Sequence, residues 1–431
     1  MPMTTDGSGS TGDFSAALKE FYGPGLIGAL NEDIPYFDAL SEAGAEVELG
    51  GSGLVWPVHT KRSGGVGAIA ENATLPTAGT QTRNKATANA KEIYGRIELS
   101  RKVMASSRTN KMAFVDALDA EMGALEAELK YSLNRQLFGN NAVAGSGGTG
   151  ASTGVLTKIG ASSGATAQQF TVDTTHHLYS GMKIRVGTAA QVASGGAADS
   201  VTIKSVDSRV LFTIDGGVNK TFANSDLLTI GDGNFASFDQ ELNGLDHLIT
   251  DDDDNLFGIV TSSAGGAWKA HVDDNSGTNR SLSPERLDAM FDSVYERGGA
   301  RPDMVVCHQS FAREVKKLME ADVRYEPQTF KGGFVRNMLV WNNGIKDVVI
   351  MADHLCLPNR AYFLSLEHIK LAYLDKFGWL DEDGAVLSRI TDKANFEAAF
   401  GGMLEQIVTK RTAHGVLDDI TVNNDTLIVP A

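Results

Sequence analysis

Cysteine is nearly absent: Cys307 and Cys356 are the only two in 431 residues. Their spacing fits neither a zinc site nor a redox pair, which leaves both as small buried apolar residues. Proline is scarce, at 10 residues against 47 glycines, a balance that suggests long flexible or extended stretches. Long apolar runs are missing, so no segment is long enough to span a bilayer, and no membrane partner is expected. Residues 1–13 are rich in Gly, Ser and Thr and lack the apolar core of a signal peptide. Positive charge is in short supply: 38 Lys and Arg stand against 54 Asp and Glu, for a net charge of −16. That balance disfavours a protein that grips DNA by its phosphates, although a surface that faces DNA without adhering is compatible with it. What is present is a globular composition, 42% hydrophobic and 21% charged, in a chain long enough for two or three compact units.

The strongest periodic signal lies at 110–138. Val115, Leu118, Met122, Leu125, Leu129, Leu133 and Leu137 follow one another in steps of three and four, which places them on one stripe of an α-helix. Asp116, Asp119 and Glu121 come early and Lys130 and Arg135 late, an order that suits the helix dipole. Thr109 or Asn110 caps the start and Gly139 stops the helix. At about 1.5 Å per residue it would run roughly 40 Å, too long for one small core to cover. A coiled-coil seam would require an apolar residue at Ser132; the stripe instead moves to Leu133, which fits a globular face.

Ahead of this helix, 54–59 reads as a short strand, with Pro57 suggesting a sheet edge. Residues 61–90 carry only Val66, Ile69 and Leu75 as larger apolar side chains and cannot build a core. Residues 91–104 alternate cleanly, with Ile93, Ile97, Leu99 and Val103 on one face. The expectation is a long ribbon with legs at 54–60 and 91–104 and its tip at 61–90. From Arg83 to Lys111 there are eight Lys or Arg against two Glu, a net of +6 that leaves −22 for the rest. A basic, coreless arm on an acidic body suggests that the arm lies on another copy of that body. The candidate contacts between copies are Trp56, Lys61, Arg62, Arg83, Lys85, Arg96, Arg101 and Lys102.

Beyond a small-residue linker at 139–154, residues 155–234 read as a separate small β-barrel or sandwich. Its strands are expected at 169–172, 183–186, 201–204, 210–214 and 227–230. Deleting the block would bring the long helix close to Asn243, Gly244 and Leu245, the mark of an inserted domain. From Ser283 the pattern is α/β: Ser283 caps, Pro284 takes the first helical position, and Leu287, Met290, Phe291 and Val294 form a stripe ending at Gly298 and Gly299. Strands follow at 304–307, 348–351 and 361–364, a helix at 311–319, and a long alternating run from Phe396 to Val408.

Signals for catalysis or cofactors fail on context. The G-x-G-x-x-G matches at 7–12 and 145–150 lie in low-complexity glycine and open no helix. The G-x-S-x-G matches at 150–154 and 160–164 lack a strand-to-helix turn. The acidic run 251–254 has Leu256 and Ser262 where a calcium loop needs glycine and glutamate, so it reads as a solvated turn. A metal-assisted hydrolase using that run is the remote alternative. His176 and His177, if in a strand, would point to opposite faces, a poor start for shared metal ligation. No catalytic, cofactor or metal residue is assigned, and the chain is expected not to be an enzyme.

The order of parts resembles the tailed-bacteriophage major capsid protein, the Hong Kong 97-type shell fold shared with encapsulins. The stretches that carry the likeness are Tyr94-Gly95-Arg96-Ile97-Glu98-Leu99-Ser100 before the helix, Asn134-Arg135-Gln136-Leu137-Phe138-Gly139 at its end, 358–368, and 396–415. The resemblance implies an α+β chain: an N-terminal arm at 1–53, an extended β-hairpin loop at 54–104, and a spine helix of the peripheral domain within 105–154. An inserted small β domain at 155–234 would follow, then a mainly axial domain at 235–380 and a returning peripheral strand with the C-terminus at 381–431. It further implies a structural function: hexamers and pentamers that tile an icosahedral shell around double-stranded DNA, in a virion assembled in host cytoplasm. Portal and decoration or scaffolding proteins would be further partners, with any scaffold separate, because the arm starts near Met1. An encapsulin-type compartment is the alternative within the same fold. Some members crosslink a loop lysine to a neighbour's asparagine; Lys61, Lys85 and Asn395 would be the participants, but no motif here licenses that transfer. A compact insertion such as 155–234 suits the outer surface.

Overall fold

The computed structural model describes residues 34–43, 46–48, 53–100, 111–139, 153, 155–160, 168–172, 174–194, 199–215, 222–224, 226–231, 237–252, 255–264, 266–320, 339–342, 344–381, 388–389 and 395–422. The expected arm at 1–13, the pieces at 14–22, most of the 139–154 linker, and Arg101 and Lys102 lie outside these residues.

The long helix spans Lys111–Phe138. Its stripe buries Leu129, Leu133 and Leu137, and Leu125 is half-buried against the same core. Gly139 ends it in the left-handed region at φ 66°, a conformation that glycine adopts without a Cβ penalty. The last turn is sunk in the body and satisfied there. Arg135 pairs with Glu241 at 2.7 Å, and Asn134 Nδ2 donates to Asp353 at 2.9 Å. Asp353 also accepts from the Tyr36 and Leu355 backbone N–H groups. Burial pushes its carboxyl above the usual range, opposed by these hydrogen bonds.

The helix packs on a sheet whose central strand is Asn395–Val408. One edge of that strand takes Ile369–Trp379 and Ser388–Arg389; the other takes Lys91–Ser100 in register from Asn395 opposite Ser100 to Leu404 opposite Lys91. This corrects the expected ribbon. Residues 91–100 are not its second leg, because alternation specifies which face is buried but not which strand lies alongside. Close approach fixes the stacking: a Cβ on Gly95 would stand 2.6 Å from Leu125 Cδ1. Glu405, fully buried on the central strand, accepts from the Asn243 and Gln406 N–H groups, and burial pushes its carboxyl up to about 7.

A second, six-stranded sheet runs in the order His271–Asp273, Gly415–Leu417, Ala361–Leu364, Met304–Cys307, Asp347–Ala352, Leu339–Asn342. Its central strands are apolar at every position because both faces are covered. Val305, Cys307 and Phe363 face the helices Pro284–Gly298 and Gln309–Glu320, while Met304, Val306 and Tyr362 face the core shared with the long helix. The first of these helices starts and stops where the sequence indicates. Ser283 Oγ accepts from Arg286 N, Pro284 follows, and Gly299 closes it at φ 62°.

Residues 155–231 curl into a barrel with strand order Val155–Lys158, Leu227–Ile230, Lys183–Gly187, Asp199–Ser208, Leu211–Ile214, Gln169–Thr171. A bridge between Ile159 and Val172 joins the first strand to the last. The barrel has its own core, which includes Phe170, Ile184, Phe212, Ile214 and Phe222. At its root Gly139 and Gly244 touch: a Cβ on Gly244 would stand 2.4 Å from Gly139 N. The chain therefore leaves and re-enters the body at one point. His176 and His177 lie in a turn rather than a strand, and their rings stand 5.1 Å apart instead of facing opposite ways.

Candidate assembly interface

The ribbon is built from Gly53–Lys61 and Thr82–Asn89, paired antiparallel from Gly53 opposite Asn89 to Lys61 opposite Thr82. The second leg was hidden in the sequence because it contains no large apolar residue. Small residues are what the geometry requires there. Trp56 lies opposite Ala86 and Leu54 opposite Ala88, and both alanines are buried. The inner face so formed rests on the hairpin around Phe257. The Trp56 and Phe257 rings meet edge to face at 5.4 Å, and Thr87 N donates to Phe257 O at 2.9 Å. Trp56 thus anchors the ribbon to its own subunit.

The outer face has the opposite character. Pro57 pairs with Lys85 and His59 with Arg83, next to Lys61. Val55, His59, Lys61, Arg62, Arg83 and Lys85 are all exposed. The fold brings Lys61, Arg62, Arg83 and Lys85 to one end of the ribbon. Arg96 is elsewhere, on the open face of the helix-backed sheet, where it pairs with Glu397 at 3.0 Å. Asn395 is on the same sheet, donating to Glu98 Oε1 at 2.5 Å.

Residues 62–81 form the tip and contain no strand. Its chains cross where a Cβ on Gly65 would stand 2.5 Å from Gly79 N, an approach open only to glycine. The apolar side chains of the tip are uncovered: Val66 is 89% exposed, Leu75 77% and Ile69 47%. The tip therefore holds three larger apolar side chains in water on a limb with no core of its own. These three residues and Val55 were missing from the sequence-derived contact set, which followed charge; the signal available was their isolation in an otherwise small and polar segment.

Among the described residues no three His, Cys, Asp or Glu side chains are arranged to hold a metal ion. Asp251 and Asp252 are exposed, and Asp252 accepts from Thr250 Oγ1 at 3.0 Å. Both cysteines are buried free thiols. Among the described residues no helix is long and apolar enough to cross a membrane.

Comparison with known proteins agrees with this architecture. The capsid asymmetric unit of cyanophage A-1(L) shares the fold, with a TM-score of 0.58 and 13% identity over 96% of this chain and 100% of that one. The capsid of a native GTA particle aligns over 94% of this chain and 96% of that one, with 11% identity and a TM-score of 0.45. An encapsulin from Synechococcus elongatus aligns over only 36% of this chain and 54% of that one, at 14% identity and a TM-score of 0.27. No curated protein matches the sequence. The family model described as SU10 major capsid protein matches residues 38–385, from the first described helix through the ribbon, the long helix, the barrel and most of the second sheet. With that match spanning most of a chain whose fold is that of a phage capsid subunit, the protein belongs to the SU10 major capsid protein family.

Proposed function

We propose that copies of this chain assemble as hexamers and pentamers into an icosahedral shell enclosing double-stranded DNA, with the ribbon of each copy lying across its neighbour. The observation that carries the ribbon's role is the uncovered tip, where Val66 and Leu75 face water on a limb with no core beneath them. The outer face of the ribbon adds Lys61, Arg62, Arg83 and Lys85. These cations would be drawn to a body that is strongly acidic once the basic segment is set aside. The same acidity would keep the shell from adhering to packed DNA. The role is structural and non-enzymatic, and it places the protein in the virion after assembly in host cytoplasm. A portal, and decoration or scaffolding proteins, would complete the particle, with the barrel on its outer surface.

Electron microscopy of the purified chain, with any scaffold supplied, tests this directly. Closed shells or sixfold and fivefold capsomers are expected, with the ribbon tip seated on a second subunit. Monomers alone at high concentration, or a tip folded back on its own subunit within a shell, would overturn it.

A further inference from the structure

Four histidines meet where the barrel sits on the second sheet's domain. His176 and His177 belong to the barrel; His308 follows the strand Met304–Cys307 and His354 follows Asp347–Ala352. The His176 ring stands 5.1 Å from His177 and 5.4 Å from His308. His177 Nε2 donates across the seam to Leu355 O at 3.0 Å. His308 Nδ1 accepts from Ser310 N at 3.1 Å, a bond that a proton on that nitrogen would remove. The His176 and His354 Nε2 atoms are buried, with no hydrogen-bond partner among the described residues.

Arginines approach this cluster from three elements. Arg135 faces it from the long helix, Arg209 from the barrel and Arg313 from the helix Gln309–Glu320. Among the described residues Asp353 is the carboxylate beside His354, at 3.7 Å, and it already accepts from Asn134, Tyr36 and Leu355. Glu241 pairs with Arg135, Glu128 faces Tyr179, and the Tyr131 ring lies 5.9 Å from His354. Burial first, with the neighbouring imidazoles and arginines, makes the seam tolerate neutral imidazoles and oppose charged ones.

We propose that this seam is an acid-releasable joint: in mildly acidic solution the barrel lets go of the α/β domain while both keep their own cores. The two cores are already separate, one around Phe170 and Phe212 and the other around Phe291 and Phe363. The chain enters and leaves the barrel at the Gly139 and Gly244 contact, so release requires no rearrangement of either sheet. Burial first, then the neighbouring cations and imidazoles, hold His176 down to about 4 and His177 and His308 to about 3, from an ordinary 6.5. The docked state thus binds fewer protons than the released one. Docking is strongest above 6.5 and weakens as pH falls from there toward 4. Each histidine that regains its ordinary pKa on release weakens docking about 20-fold between pH 7 and pH 5.

Amide hydrogen exchange on the full chain at pH 7 and pH 5, corrected for the intrinsic exchange rate, reads the joint. At pH 5, residues 174–179 and 353–357 are expected to lose ~20-fold or more in protection. Lys183–Gly187, Leu211–Ile214 and Ala361–Leu364 should keep theirs. The triple variant His176→Gln, His177→Gln, His308→Gln cannot titrate and should hold its seam protection at pH 5. If the triple variant does not fold, His176→Gln alone should shrink the loss. Unchanged seam protection in the unmodified chain at pH 5, loss spread equally through the barrel strands, or a folded glutamine variant that opens at the same pH would each overturn the proposal.

Discussion

The barrel and the ribbon both stand out from the body, yet they are stabilised in opposite ways. The barrel pairs its last strand with its first and packs Phe170, Phe212 and Phe222 inside. The ribbon has two strands and no interior; its inner face leans on Phe257, and Val66 and Leu75 on its tip are uncovered among the described residues. Two-stranded ribbons are marginal in water unless something covers a face. An appendage that closes on itself is complete in one copy. An appendage that cannot close leaves apolar groups in water.

The sharpest way to break this comparison is to excise the tip. Replacing residues 63–80 by a short glycine-rich turn retains both strands. A broader cut, at 64–88, would remove most of Thr82–Asn89, whose pairing anchors the ribbon. The shortened subunit should melt within ~1 °C of the parent, since no core residue is lost, and should form no stable shells by electron microscopy. Next in size is Phe212→Ala, which empties the centre of the barrel. It should cost about 3–5 kcal/mol, read as lost exchange protection in the barrel strands with the ribbon unaffected. Trp56→Ala reverses that pattern at a cost of about 2–3 kcal/mol, releasing Gly53–Lys61 and Thr82–Asn89 while the barrel keeps its protection. The smallest effect belongs to charge. Arg83→Glu with Lys85→Glu should leave the melting temperature unchanged and weaken assembly ~10-fold at low salt, a deficit that fades as salt is raised. Light scattering across a salt series measures it.

Much of the fold was readable from the sequence. The stripe from Val115 to Leu137 admits only a helix, and Ser283, Pro284 and Gly299 mark both ends of another. Doubly covered strands such as Met304–Cys307 stand out because every side chain is apolar. What was hidden is pairing. Lys91–Ser100 has the alternation expected of a ribbon leg, but its partner lies some three hundred residues away, and nothing local encodes that. Thr82–Asn89 was missed because its buried residues are alanines chosen to admit Trp56 and Leu54. Strands as short as His271–Asp273 and Gly415–Leu417 leave no periodicity to detect. Lys61, Arg62, Arg83 and Lys85, offered from charge as contacts between copies, lie on an exposed face. Trp56, offered in the same set, shares parity with Leu54 and Val58 and turns inward with them.

The strand Asn395–Val408 has a consequence for synthesis. A ribosome completes Lys91–Ser100 nearly three hundred residues before it reaches Asn395, the separation between Glu98 and its partner being 297. At roughly 5–20 residues per second, that is a wait of about 15–60 s. Throughout it, Ile93 and Ile97 have no neighbouring strand, and the leucines of the long helix have no finished sheet to settle on. The helix-backed sheet is completed late in translation, and a chaperone that shelters nascent apolar chain has that whole interval in which to act.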